Sequence, residues 1–253
     1  MENLVYLNAY LLVLFAFIIS YVEGLRIEKD IFWSSLRTLL QLLILAYILK
    51  YVFEFPEIEK QFLVFAFMTL VASLIFTERS KSIKLFPVVY LSITLSYALP
   101  ILFLILTKVL KTAPHELIPF GGLIIGNTLN SLSLFYDRIK AEIRNRKEEI
   151  EAKIALGATL RYALIDVIRD SIKMALIPKL NWLKSAGLVH IPGVAVGMLV
   201  AGVSPLKAIL FQVVILYTLL FSGIVGTSLL AFIGIKEIFR KSFEKGESDG
   251  ARI

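Results

Sequence analysis

Cysteine is absent from all 253 residues. Its absence excludes a disulfide scaffold, a cysteine-ligated metal centre and thiol redox chemistry. Histidine occurs only as His115 and His190, and there are four Met. No paired His or carboxylate pattern has metal-ligand spacing, so no tight soft-metal site is expected and any metal ligands stay unassigned. No Gly-Lys pair occurs, so the chain cannot build a phosphate-binding P-loop, and no ATP hydrolysis or cofactor is expected in it. His-Asp, Glu-x-x-His and Gly-x-Ser-x-Gly patterns are missing too, and no catalytic residue is assigned. Charge is sparse, at 19% of residues against about 25% in soluble domains.

Apolar residues fill the space, at 58% with a mean hydropathy of +0.80. A chain this apolar reads as an all-α polytopic membrane protein, one transmembrane domain over residues 1–253. Spans of about 20 apolar residues are sought. About seven segments qualify: Leu4 to Val22, Phe32 to Phe53, Phe62 to Phe76, Phe86 to Leu106, Pro119 to Tyr136, Leu188 to Val203 and Leu206 to Ile235. Pro100 is an expected kink in the fourth. The first follows Met1-Glu2 without Lys or Arg and is expected to stay as a span, not to be cleaved as a signal peptide.

The net charge of +7 is distributed unevenly. Most Lys and Arg fall in the first and third loops, in residues 137–187 and in the C-terminal tail. That bias predicts an external N-terminus and a cytoplasmic C-terminus in the cell (inner) membrane. The basic residues are mixed with Asp and Glu and lack interleaved aromatics, so nucleic acid is not an expected partner; the lipid bilayer is.

Residues 137–187, between the fifth and sixth segments, read as a helical cytoplasmic segment. A charged run from Asp137 to Glu151 continues the fifth helix. Glu151, Ala152, Ala155, Leu156, Gly157, Ala158 and Thr159 then form a short apolar patch with a glycine stop. A second amphipathic helix, about Leu160 to Leu176, carries Leu164, Ile165, Ile168, Ile172 and Leu176 at helical spacing, and Pro178 is expected to end it. Spacing alone leaves two readings of this knob: an interfacial anchor, or a handle gripped by an intracellular protein.

Glu-Ala-x-x-x-x-Gly at 151–157 resembles the coupling loop of ABC transporter permeases. A longer ordered set is similar to the FetB-type permeases. It runs through Arg37-Thr38-x-x-Gln41, Gly126-Asn127-x-x-Asn130, Ile177-Pro178, Ile191-Pro192-Gly193, Gly197, Gly202 and Ser204-Pro205 to Gln212. Val194, Ala195 and Val196 stand where relatives often carry Met. This resemblance implies a homodimeric permease that works with a separate ABC ATPase subunit, which binds ATP and Mg, and exports metal ions such as iron. It also implies that residues 151–159 couple to that ATPase.

Polar groups at membrane depth mark a path or a structural tie. Arg37 and Gln41 share a helix face, as do Asn127, Asn130 and Ser131, and Gln212 lies in the last span. These are candidates for a substrate path, with snorkelling or interhelical hydrogen bonding as the structural alternative. Gly122 with Gly126 and Gly193 with Gly197 have the spacing of close helix packing or gating, and Pro192 with Gly193 could break the sixth span. An ABC importer permease for a small solute is the nearest alternative function. A carrier driven by an ion gradient predicts ionisable groups deep in the spans, and beyond Arg37 none is evident.

Overall fold

The computed structural model describes residues 10–54 and 58–250, with side chains described over 10–50 and 59–242. It is helical almost throughout; β-structure among the described residues is one isolated bridge, Ala186 to His190. This accords with a helical membrane protein, because lipid offers backbone groups no partners. Two compact units are present, residues 1–57 and 58–253.

The first unit contains α1 (Tyr10–Val22) and α2 (Glu28–Glu54). The two helices meet through Ser20, which is buried and donates from Oγ to Glu28 Oε1 at 2.8 Å. The expected first span began at Leu4; residues 4–9 lie outside the described residues.

The second unit is built on α3 (Ile58–Ser80), α4 (Phe86–Leu106), α5 (Pro114–Asn145) and α10 (Pro205–Gly250). With α2, these are the five helices among the described residues that are long and apolar enough to cross a membrane. Pro100 sits inside α4 without ending it, as expected. Short elements fill the interval between α5 and α10. They are α6 (Lys147–Ala155), α7 (Leu160–Ala163), α8 (Ile165–Ser185) and α9 (Gly193–Val200).

Here the structure corrects two expectations. The sixth segment is no continuous span: α9 has only eight residues. At 1.5 Å per residue it is about 12 Å long, well short of a hydrocarbon core of about 30 Å. Pro178 does not end the preceding helix, because α8 runs through it to Ser185. The buried face holds Val167, Ser171, Ala175 and Leu176, with Leu164 buried just before the helix, whereas Ile165 is exposed. Small residues on this face let α8 lie close against its neighbours.

Two contacts fix its direction. Arg146, at the end of α5, bonds Asp170 at 3.0 Å, and Lys179 reaches the Asn127 carbonyl at 3.4 Å. Thus α8 is antiparallel to α5 and retraces it. Beyond the break, Val194 and Met198 of α9 share a cavity with Pro119 and Leu123 of α5. α8 thus returns along α5, and α9 faces the N-terminal part of the same helix across that cavity. The intervening turn satisfies itself: Gly187, at φ +83, donates its N–H to the His190 carbonyl at 2.9 Å.

Lipid tails are as apolar as leucine, so close contact rather than water expulsion holds such helices together. The tight approaches lie at Gly121 against Phe65, Gly223 against Lys179 and Leu176, Gly226 against Thr128 and Ser96, and Gly234 against Leu230 and Leu85. The expected packing glycines divide. Gly122 lies 3.3 Å, measured from an added Cβ, from Met68 Cε, but a Cβ at Gly126, Gly193 or Gly197 would meet nothing within 4 Å of it. These three make no close helix contact among the described residues. At Gly226 an added Cβ would come within 2.8 Å of Thr128 Cγ2. Gly226→Leu should therefore lower unfolding stability by about 1–3 kcal/mol through overpacking. Gly126→Ala should leave it unchanged. Thermal unfolding of the two variants in one detergent separates them.

Candidate functional site

Two features stand out on α5 and α8: a polar cavity between the helices, and the knob where they join.

The cavity has a volume of about 390 Å³, within the range of ligand sites. Its wall includes Asn127, Asn130, Ser131, Ser133 and Leu134 of α5, Ala175, Pro178, Lys179 and Trp182 of α8, and Arg79 of α3. The periodicity of α5 explains the first group, since residues three and four apart share a face. Asn127 Nδ2 donates to the Leu123 carbonyl at 3.0 Å, and Ser131 Oγ donates to the Asn127 carbonyl at 3.0 Å. Asn130 is exposed on the wall. Arg79 is joined to Asp137 by an ion pair. Lys179 is half-buried, its stem packed on Gly223, and no carboxylate among the described residues lies within ion-pair distance of it.

Arg37 and Gln41 are both exposed on α2 of the first unit. Gln212 is buried on α10 and caps a helix instead, its Oε1 accepting the Ala195 N–H at 3.1 Å. Ala195 is the third residue of α9, and Pro192, the residue before that helix, offers no side-chain cap. Gln212 supplies the missing acceptor from a neighbouring helix.

The knob follows the sequence closely. α6 ends at Ala155 and Gly157 takes φ +91. Gly157 N–H bonds the Ile154 carbonyl at 2.9 Å and Ala158 N–H bonds the Lys153 carbonyl at 3.0 Å, the paired bonds of a Schellman stop. Thr159 then caps α7 by accepting from the Tyr162 N–H. Leu156 is 89% exposed at the tip. Beneath the tip, ion pairs fasten the knob to α8. Lys153 meets Glu149 at 2.6 Å and Asp166 at 3.7 Å, and Arg146 bridges Glu142 and Asp170. The hydrogen bond between Lys153 and Glu149 lowers the Glu149 pKa and raises that of Lys153. Glu151 is half-exposed and faces Lys147 at 3.7 Å. Arg161 stacks on Phe232 of α10, 3.8 Å from the ring centre.

Comparison with known proteins now adds to the geometry. The model of the uncharacterised protein family UPF0014 matches residues 4–239. This chain belongs to UPF0014. Among curated UPF0014 relatives, the "Probable iron export permease protein FetB" of Escherichia coli (strain K12) is 34% identical over 232 residues, covering 91% of this chain and 90% of that protein. A UPF0014 membrane protein of Synechocystis is 33% identical over 210 residues, 81% of each. The "Protein ALUMINUM SENSITIVE 3" of Arabidopsis thaliana is 27% identical over 237 residues, 93% of this chain and 87% of its own. No solved structure matches the chain. The UPF0014 match includes both the cavity and the knob, and the chain is a multi-pass membrane protein.

Lys179, Arg79 and Trp182 were not expected in a site. Lys179 stands among Pro178, Leu180 and Asn181, which reads as a polar loop until α8 is known to pass through the proline. The role of Gln212 yields a specific expectation. Gln212→Leu strands the buried Ala195 N–H and should cost about 1–3 kcal/mol of stability. Gln212→Glu keeps an acceptor at the helix N-terminus and should lose less. Chemical denaturation of the purified variants measures the difference.

Proposed function

We propose that this chain is the membrane permease subunit of an ABC transporter and that it exports metal ions or their complexes, iron among them. The energy comes from ATP, bound with Mg on a separate ATPase subunit, and two copies of the permease assemble around the path. The observation that carries this reading is the knob. Its tip presents an almost fully exposed leucine in charged surroundings, held by a glycine-stopped helix and locked by ion pairs to both α5 and α8. An anchor in the lipid interface does not need such fastening; a handle does. Relatives named for iron export and for aluminium sensitivity support the cargo class.

In this mechanism, ATP binding closes the two ATPase subunits on the cytoplasmic face. Each draws on one knob around Glu151 to Thr159. The pull passes through Arg146 and Asp170 into α5 and α8, the two helices that line the polar cavity between Asn127 and Lys179. An import permease would use the same handle; a neighbouring gene for an external binding protein would favour that direction.

Leu156→Asp places a charge at the docking tip without touching the packed interior. Gly157→Val forces a β-branched residue to φ +91, straining the turn by about 1–3 kcal/mol. Both variants should fold in the membrane yet fail to co-purify with the cognate ATPase, and transport should fall at least tenfold. Undiminished co-purification with both variants would remove the coupling role from this segment.

A further inference from the structure

Among the described residues, the cavity beside Asn127 is lined by one ammonium without an ion pair, a guanidinium, two amides and two hydroxyls, and by no carboxylate. An ammonium offers three donors and no acceptor, and a guanidinium five donors and no acceptor. Arg79 shares its charge with Asp137 but retains donors beyond that pair. Among the described residues, Lys179 has one hydrogen bond, a long one of 3.4 Å to a neutral carbonyl. Such a wall repels a bare divalent cation and welcomes a ligand with negative oxygens. A charge buried among helices is costly when left alone, so a cation here calls for a counter-charge from outside the chain.

The next cavity along α5 has the same sign. Its volume is about 530 Å³, and Lys108, Lys111 and Lys207 line it against the single carboxylate of Glu116. Leu123 lines this cavity and Asn127 the other, so about one helical turn of α5 separates two electropositive spaces.

We propose that the cavity around Lys179 is an oxyanion site, which takes a carboxylate- or phosphate-bearing ligand in preference to a bare metal cation. The inference rests on the proposed function only where it concerns cargo: a metal using this site travels as an anionic complex. Two sources could supply the oxyanion, a soluble acid or the headgroup of an anionic lipid.

The chain itself provides the reporter. It has two tryptophans, Trp33 and Trp182, and Trp182 lines the cavity. Trp33→Phe therefore leaves one tryptophan at the site. This variant, without any ATPase, is placed in vesicles of pure phosphatidylcholine and titrated with citrate, inorganic phosphate and Mg²⁺ while Trp182 fluorescence is followed. A second set of vesicles contains equal parts of phosphatidylcholine and phosphatidylglycerol. Saturable binding of citrate or phosphate in the neutral vesicles is expected. It should weaken at least tenfold with Lys179→Gln, weaken with Asn130→Leu and survive Lys179→Arg. A Trp182 response found only with phosphatidylglycerol, and lost in Lys179→Gln, identifies a lipid headgroup as the oxyanion. A response to Mg²⁺ alone, equal anion binding with and without the Lys179 ammonium, or no response in either membrane overturns the proposal. Because no ATPase is present, failure of the coupling assignment leaves this result readable, and the reverse also holds.

Discussion

The antiparallel seating of α8 on α5 is the constraint on which the rest of this molecule depends. Ion pairing of Arg146 with Asp170 sets one end of it, and the reach of Lys179 to the Asn127 carbonyl sets the other. Between them run the small buried residues Ser171 and Ala175, which let the helices approach closely. This seating makes one wall of the polar cavity from each helix. It also puts the knob at the place where the same two helices join. Knob and cavity are thereby built on shared elements, the arrangement in which a force at one end can change geometry at the other.

The same constraint bears on the break between α8 and α9. Having returned along α5, the chain turns at Ala186 to Pro192 and resumes as the short α9. Non-helical backbone within a membrane protein must find its partners inside the protein. The turn does so through Gly187 and His190, and the start of α9 does so through Gln212 of α10. A discontinuous helix of this kind leaves room for movement at the break, while the long continuous α4, α5 and α10 form the frame.

Much of this was legible in the residues. Apolar runs mark α2, α3, α4, α5 and α10 because each helix must bury or bathe a continuous apolar surface. Gly157 marks the knob because the positive φ of a Schellman stop excludes most side chains. Asn127, Asn130 and Ser131 mark one wall of the cavity because helical spacing is a local property. What was hidden depends on tertiary contacts. Lys179 reads as surface until α8 is known to continue through Pro178. Gln212 reads as a path residue until its partner, Ala195 on another helix, is seen. Glycine spacing at Gly122 and Gly126 or at Gly193 and Gly197 looks like packing, yet of these four only Gly122 is closely approached, and the tightest approaches fall at Gly121, Gly223 and Gly226, which only the facing helices select.

Transmission from knob to cavity through α5 and α8 is most directly tested by measuring the distance between those helices as the motor acts. The absence of native cysteine allows clean spin labelling at Leu134→Cys on α5 and Met174→Cys on α8, both exposed positions. Pulsed electron resonance is recorded on the reconstituted complex with and without ATP trapped in the ATPase. Coupling through these helices predicts a distance distribution that shifts when ATP is trapped and returns when it is removed. An unchanged distribution, with the ATPase still bound and cargo still moving, would contradict it.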